Sequence, residues 1–175
     1  YSTILNGSNC TASGSYSLAT GQYATTRSII GAHAHANGRF SVDGDAQVQR
    51  FILRASTSGS TQTVMTANDS TVSSTNIPGM IDGSCMRFTA EIVGQDASAM
   101  TFAAYKIVGL ISRPSGGAGS TTMLNSTVTT EYEDDSSLDV DAVAKTTQGG
   151  ISIRVTGLDS TDIHWVCELN VQEVA

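Results

Sequence analysis

Charge is scarce in this sequence, and positive charge most of all. Of 175 residues only 14% are charged, with 9 basic residues against 16 acidic ones and a net charge of −7. Lysine occurs only at Lys106 and Lys145. This balance gives no electrostatic basis for gripping a phosphate backbone, so no nucleic-acid partner is expected. No apolar run approaches the length of a membrane-spanning helix, and no membrane insertion is expected. Cys10, Cys85 and Cys167 are odd in number and widely spaced, without a C-x-x-C pair, so no disulfide framework is expected and they read as buried thiols packed as small apolar residues. The two prolines, Pro78 and Pro114, fall in loop-like stretches. No G-x-S-x-G elbow, H-E-x-x-H pair or phosphate-binding loop is present, and the sequence is read as that of a protein that is not an enzyme. The chain opens on Tyr1 with no apolar signal segment, which reads as a fragment or a processed product.

Serine, threonine, glycine and alanine fill the space that charge leaves. A period of two dominates, and no helix-period segment longer than two turns stands out. The alternation predicts strands over 1–5, 46–55, 85–94, 100–111, 121–132, 138–144, 151–156 and 162–174. A short run at 62–66 reads as the returning partner of 46–55. Residues 67–83 read as loop, Asp43-Gly44-Asp45 as a turn, and 115–120 as a flexible connection.

Residues 7–40 have a different rhythm. Gly7, Gly14 and Gly21 stand seven apart, with Ala12 and Ala19 two before the second and third. The spacing then slips by three across Thr25-Thr26-Arg27-Ser28-Ile29-Ile30, and Gly31 and Gly38 restart it. Glycine at each corner supplies the positive-φ turn, and small residues suit closely stacked coils. A coiled coil is excluded, because its heptads need large apolar residues at two positions and each interior glycine costs about 1 kcal/mol. The stretch Ala12-Ser13-Gly14-Ser15-Tyr16-Ser17-Leu18-Ala19-Thr20-Gly21-Gln22-Tyr23-Ala24 resembles the head repeats of trimeric autotransporter adhesins. That resemblance implies half-turns of a left-handed β-roll, with three chains side by side around a threefold axis. Similar glycine-rich coils occur in bacteriophage tail fibres.

The sequence therefore reads as all-β: a glycine-rich β-coil or β-roll neck over 1–45, then an antiparallel β-sandwich-like module over 46–175, assembled as a parallel homotrimer. The module resembles carboxy-terminal parts of phage tail-fibre and virion structural proteins. The resemblance is carried by Gly44-Asp45-Ala46-Gln47 leading into Arg50-Phe51-Ile52-Leu53-Arg54, by Tyr105 to Arg113, and by Ile163-His164-Trp165-Val166-Cys167.

The sharpest local signal is Gly31-Ala32-His33-Ala34-His35-Ala36-Asn37-Gly38. In a strand His33 and His35 project to one face, and three chains would bring six imidazoles together, which suits a first-row divalent metal. The stretch resembles the H-x-H motifs that hold iron on the axis of phage fibres and spikes. That resemblance implies Fe2+, or another first-row divalent metal, held by His33 and His35. The alternative is a pair of solvated coil residues, and His164 reads as an ordinary strand histidine. Asp43-Gly44-Asp45 and Glu131-Tyr132-Glu133-Asp134-Asp135, with Asp139 and Asp141, lack EF-hand spacing and read as a solvated turn and an acidic hairpin.

The resemblances imply a virion structural protein: a trimeric tail-fibre or spike segment, extracellular, joined to other virion proteins upstream. Its partner would be a host cell-surface glycan or protein receptor, with aromatics in exposed loops, such as Tyr132, as contacts. The alternatives are a capsid decoration or head-fibre protein and a bacterial trimeric adhesin head, against which stands the lack of a membrane anchor after Glu173-Val174-Ala175. A polysaccharide-cleaving enzyme would need facing carboxylates in a cleft.

Overall fold

The computed structural model describes residues 1–98 and 100–175. It is all-β, with no α-helix among the described residues. The strands are β1 (Thr3–Ser8), β2 (Leu18–Gln22), β3 (His33–Asn37), β4 (Ala46–Thr57), β5 (Thr63–Val64), β6 (Ser84–Asp96), β7 (Phe102–Arg113), β8 (Thr122–Glu133), β9 (Asp139–Lys145), β10 (Gly150–Thr156) and β11 (Ile163–Val174). Eight of them form one open mixed sheet in the order β1-β2-β3-β4-β11-β6-β7-β8, and β5-β10-β9 form a second.

The alternation that predicts the long strands also decides what they bury. On β4, Phe51, Leu53 and Ala55 point inward; on β11, Ile163, Trp165, Cys167, Leu169 and Val171 do. Met86, Phe88, Ala90 and Ile92 on β6, with Tyr105, Ile107 and Ile111 on β7, continue the layer. The second sheet closes it with Val140, Ile151, Ile153 and Val155. Each fully buried large apolar side chain contributes about 1.5–3 kcal/mol. Trp165 lies over Gly94, its cross-strand neighbour, where a Cβ would sit 2.5 Å from the indole, and its N–H donates to Thr57 Oγ1 at 3.0 Å.

Residues 1–37 advance differently. β1, β2 and β3 pair in parallel, with Thr3 beside Leu18 and Leu18 beside His33. Their interior is an alanine cluster, Ala19, Ala24, Ala34 and Ala36, with Cys10 and Ala12 against it. The glycines act partly otherwise than expected. Gly21 has φ +84, but Gly7 and Gly14 do not adopt positive φ; Asn9, Tyr16 and Tyr23 do, at 55, 60 and 65. Gly14 is needed for space, since a Cβ there would lie 1.9 Å from Ile29 O. The strained tyrosines are held from outside: Tyr1 stacks on Tyr16 with centroids 6.1 Å apart, and Arg39 lies 4.2 Å over the Tyr23 ring.

The slip at 25–30 is where this coil meets the rest of the chain. Ile29 enters the main core, Ile30 N–H donates to Thr75 O at 2.8 Å, and Thr25 O accepts the side-chain amides of Gln47 and Gln49, each at 3.1 Å. Arg27 donates to Gly44 O, Gly79 O and the Glu173 carboxylate, the last at 2.5 Å. Glu173 also accepts Ile81 N–H and Ser84 Oγ–H, each at 2.8 Å, and its side chain is fully buried. β3 then pairs antiparallel with β4, so the large sheet runs unbroken from the coil into the long strands.

Three further expectations are corrected. Residues 63–64 pair with β10, not β4, because only the bridge of Thr66 to Arg54 reaches back. The 115–120 connection is tied down: Asp82 accepts Gly116 and Gly117 N–H at 3.3 and 2.9 Å, and Ser120 Oγ donates to Pro114 O at 2.6 Å. Cys167 is buried, but Cys10 and Cys85 are only half-buried, since each stands near a sheet edge or strand end.

Two predictions follow from these contacts. Arg27→Ala strands a buried carboxylate and is expected to lower the unfolding free energy by about 3 kcal/mol or more, read by urea denaturation. Adding Glu173→Ala to it should cost less than the two single losses combined. The second concerns Asp45, whose buried carboxylate accepts N–H groups of Phe40, Ser41 and Val42. Burial pushes its pKa up, but the three donors outweigh that and hold it below the ordinary 3.8. A depressed folded value contributes stability above the unfolded pKa and loses it as pH falls through the folded one. Asp45→Asn should therefore lose stability at neutral pH and show a shallower fall in stability below about pH 4.

Candidate functional site

From β3 through β4, β11, β6 and β7 the large sheet has one face buried and one uncovered, whereas β8 is exposed on both, and β3 brings both strand histidines to the uncovered face. Alternation puts Ala34 and Ala36 inside and His33 and His35 outside. The antiparallel register sets His35 opposite Val48 and His33 opposite Arg50. Parallel pairing sets them beside Thr20 and Leu18. Thr20 Oγ1 lies 2.9 Å from His35 Nδ1, which holds the ring and leaves Nε2 open.

From the histidines two rows of side chains cross the sheet. One runs His35, Val48, Gln172, Arg87, Leu110, Asn125; the other runs His33, Arg50, Asn170, Thr89, Val108, Thr127. The rows line two adjoining depressions of about 400 and 380 Å³ that share Arg87. Neither depression has a carboxylate in its lining. The next row carries the acids, and they are engaged: Glu168 binds Arg50 at 2.8 Å and Glu91 faces Lys106 at 3.6 Å. Arg50 and its neighbour Asn170 hold Glu168 below its ordinary value by hydrogen bonding, that of Asn170 the stronger. Arg87 has no hydrogen-bond or ion-pair partner among the described residues. Further along the same face Ile52, Val93 and Val166 are exposed.

As metal ligands, His33 and His35 supply two imidazoles on one face. Among the described residues no group of three His, Cys, Asp or Glu within the chain converges as a metal site. A divalent ion would need donors from further copies, and the Thr20 contact is the kind of outer-shell bond that orients a ligating imidazole. His164 lies exposed on β11, away from this pair.

The two acidic stretches are spent on the fold. Asp45 caps its own turn, and Asp43 pairs with Arg39 at 2.5 Å. Tyr105 donates to Glu133 at 2.8 Å, Phe102 N–H to Asp134 at 2.7 Å, Ser137 N–H to Asp135 at 2.8 Å, and Arg154 holds Asp141 through two bonds. Burial and the Glu133 carboxylate together raise the Tyr105 pKa far above the ordinary value. Tyr132 stands on β8, not in a loop, and its hydroxyl donates to Asp134 at 2.5 Å.

Sequence reasoning found the histidines and missed the rest of the rows. Arg87, Asn170 and Gln172 each occupy an outward strand position, but only register makes them neighbours of His33 and His35.

No protein-family model and no curated protein matches the sequence. Among solved structures the chain is similar to the crystal structure of the Acinetobacter baumannii phage AM24 tailspike protein, at TM-score 0.32 and 11% identity. The similarity covers 98% of this chain and 33% of that one, so the chain spans about a third of that protein's length. No helix among the described residues is long and apolar enough to cross a membrane.

Proposed function

We propose that the chain is a segment of a virion fibre or spike that assembles as a parallel homotrimer and attaches the particle to a host cell surface. Residues 1–45 serve as the β-roll neck and 46–175 as the binding module. The observation that supports this reading most is the single sheet that carries a parallel, alanine-cored coil directly into long antiparallel strands whose outer face is uncovered. A coil of this kind spaces and aligns copies, and avidity from several copies turns weak contacts into firm attachment. On this reading binding, not bond cleavage, is the activity. The histidine pair, with His35 oriented by Thr20, is the natural staple: three copies would supply six imidazoles to Fe2+ or another first-row divalent ion on the axis.

Native mass spectrometry with metal analysis, on the wild-type chain and on the His33→Ala, His35→Ala double variant, tests this. The expected result is a trimer, with about one metal per three chains that the double variant loses. A metal-free trimer removes the staple and keeps the assembly. A stable monomer overturns the proposal. A trimer that fails to adsorb to any cell in a panel of bacterial strains transfers the chain to a purely structural role in the virion.

A further inference from the structure

We infer that the outer face of the large sheet holds a binding groove for an acidic saccharide, with Arg87 as the anchor for the sugar carboxylate. The inference rests on the attachment reading and names its ligand class. It begins from an anomaly of charge. The protein carries a net −7, yet the two depressions hold Arg50 and Arg87 with no acid in their lining, and of these Arg87 is free of an acidic partner among the described residues. In an acidic protein, an arginine left without an acid in a concave strip marks a favourable place for an anion.

The rest of the lining indicates what kind of anion. Gln172 and Asn125 offer planar amides, Asn170 offers the carbonyl of an amide whose nitrogen is spent on Glu168, and Thr89 and Thr127 offer hydroxyls. These groups match the alternating donors and acceptors of sugar hydroxyls. Val48, Val108 and Leu110 lie between them and give the apolar patches on which the carbon face of a sugar ring rests. The rows cross six strands, five steps of about 4.8 Å, so the strip is roughly 24 Å long. That is an extended shape, suited to a run of linked sugars and far larger than a single small ion needs.

Arg87 is singled out because the other cations of the strip and the row beside it have partners. Arg50 is held by Glu168 and Lys106 faces Glu91. Arg87 is the residue both depressions share, and its fork can take a carboxylate through two parallel bonds. It lies three strands from His35 along one row, and the second depression holds Arg87 without either histidine, so a ligand seated there stands clear of the imidazoles.

Two acidic probes, hexagalacturonate and a hexamer of sialic acid, are to be titrated by calorimetry beside their methyl esters, in low and in high salt. The expected result is binding of at least one acid, weakening with salt, and weak or no binding of its ester. Arg87→Ala should then lose about tenfold or more in affinity, with partial retention in Arg87→Lys. Arg54→Ala, which removes an equal charge further along the same face, should bind as the wild type. Which acid binds separates a uronate from a sialate source. Equal binding of acid and ester, no binding of either acid, or equal losses in Arg54→Ala and Arg87→Ala would each overturn the groove. Cell adsorption and native mass of the same Arg87→Ala protein keep the two readings apart: a trimer that still adsorbs fully leaves attachment standing and removes the groove.

Discussion

The buried pair of Arg27 and Glu173 is the constraint on which the arrangement of the two halves depends. Glu173 sits near the end of the last strand, and Arg27 sits in the irregular stretch that interrupts the glycine spacing. A fully buried carboxylate is tolerable only if its charge and its lone pairs are all met. Here the Arg27 guanidinium meets them from one part of the chain, and the Ile81 N–H and Ser84 hydroxyl from a single turn elsewhere. The same guanidinium also takes up the carbonyls of Gly44 and Gly79. One contact thus fixes the coil against the long strands, and with it the continuity of the large sheet.

That continuity makes the outer face a single surface. Were β3 not paired with β4, the histidines would decorate a separate coil and Arg50 and Arg87 a separate module. Pairing places them in common rows, where Arg87 stands without an acidic partner on an acidic protein. The acids of the neighbouring row are met by Arg50 of the strip and by Lys106 of their own row, exposed pairs worth little as stability. The acidic hairpin after β8 behaves alike: Tyr105, Phe102 and Ser137 occupy its carboxylates, so its acidity serves local structure.

The strands were legible because period two is a local property. Ile163, Trp165, Cys167, Leu169 and Val171 alternate with polar residues, and the alternation alone marks a half-buried strand and its inward face. The seven-residue rhythm was legible as well, though its physical cause was only partly so. The spacing suggested glycine at the positive-φ corners; Gly21, Gly31 and Gly38 do take positive φ, but so do Asn9, Tyr16 and Tyr23, and Gly14 answers a close approach of the Ile29 carbonyl. Such a demand comes from a chain segment fifteen residues away in sequence, and no local pattern announces it.

The amino-acid sequence by itself determined the all-β class, the inward faces of β4, β6, β7 and β11 and the shared face of His33 and His35, because each follows from side-chain alternation along one strand. Tertiary structure decided which strands lie side by side. It sent Thr63–Val64 to β10, turned the slip at 25–30 into the joint with Glu173, and set Gln172, Arg87 and Asn125 in line with His35. Register between strands distant in sequence is set by core packing and ladder hydrogen bonding acting together. The strip around Arg87 is a product of that register and exists only in the folded sheet.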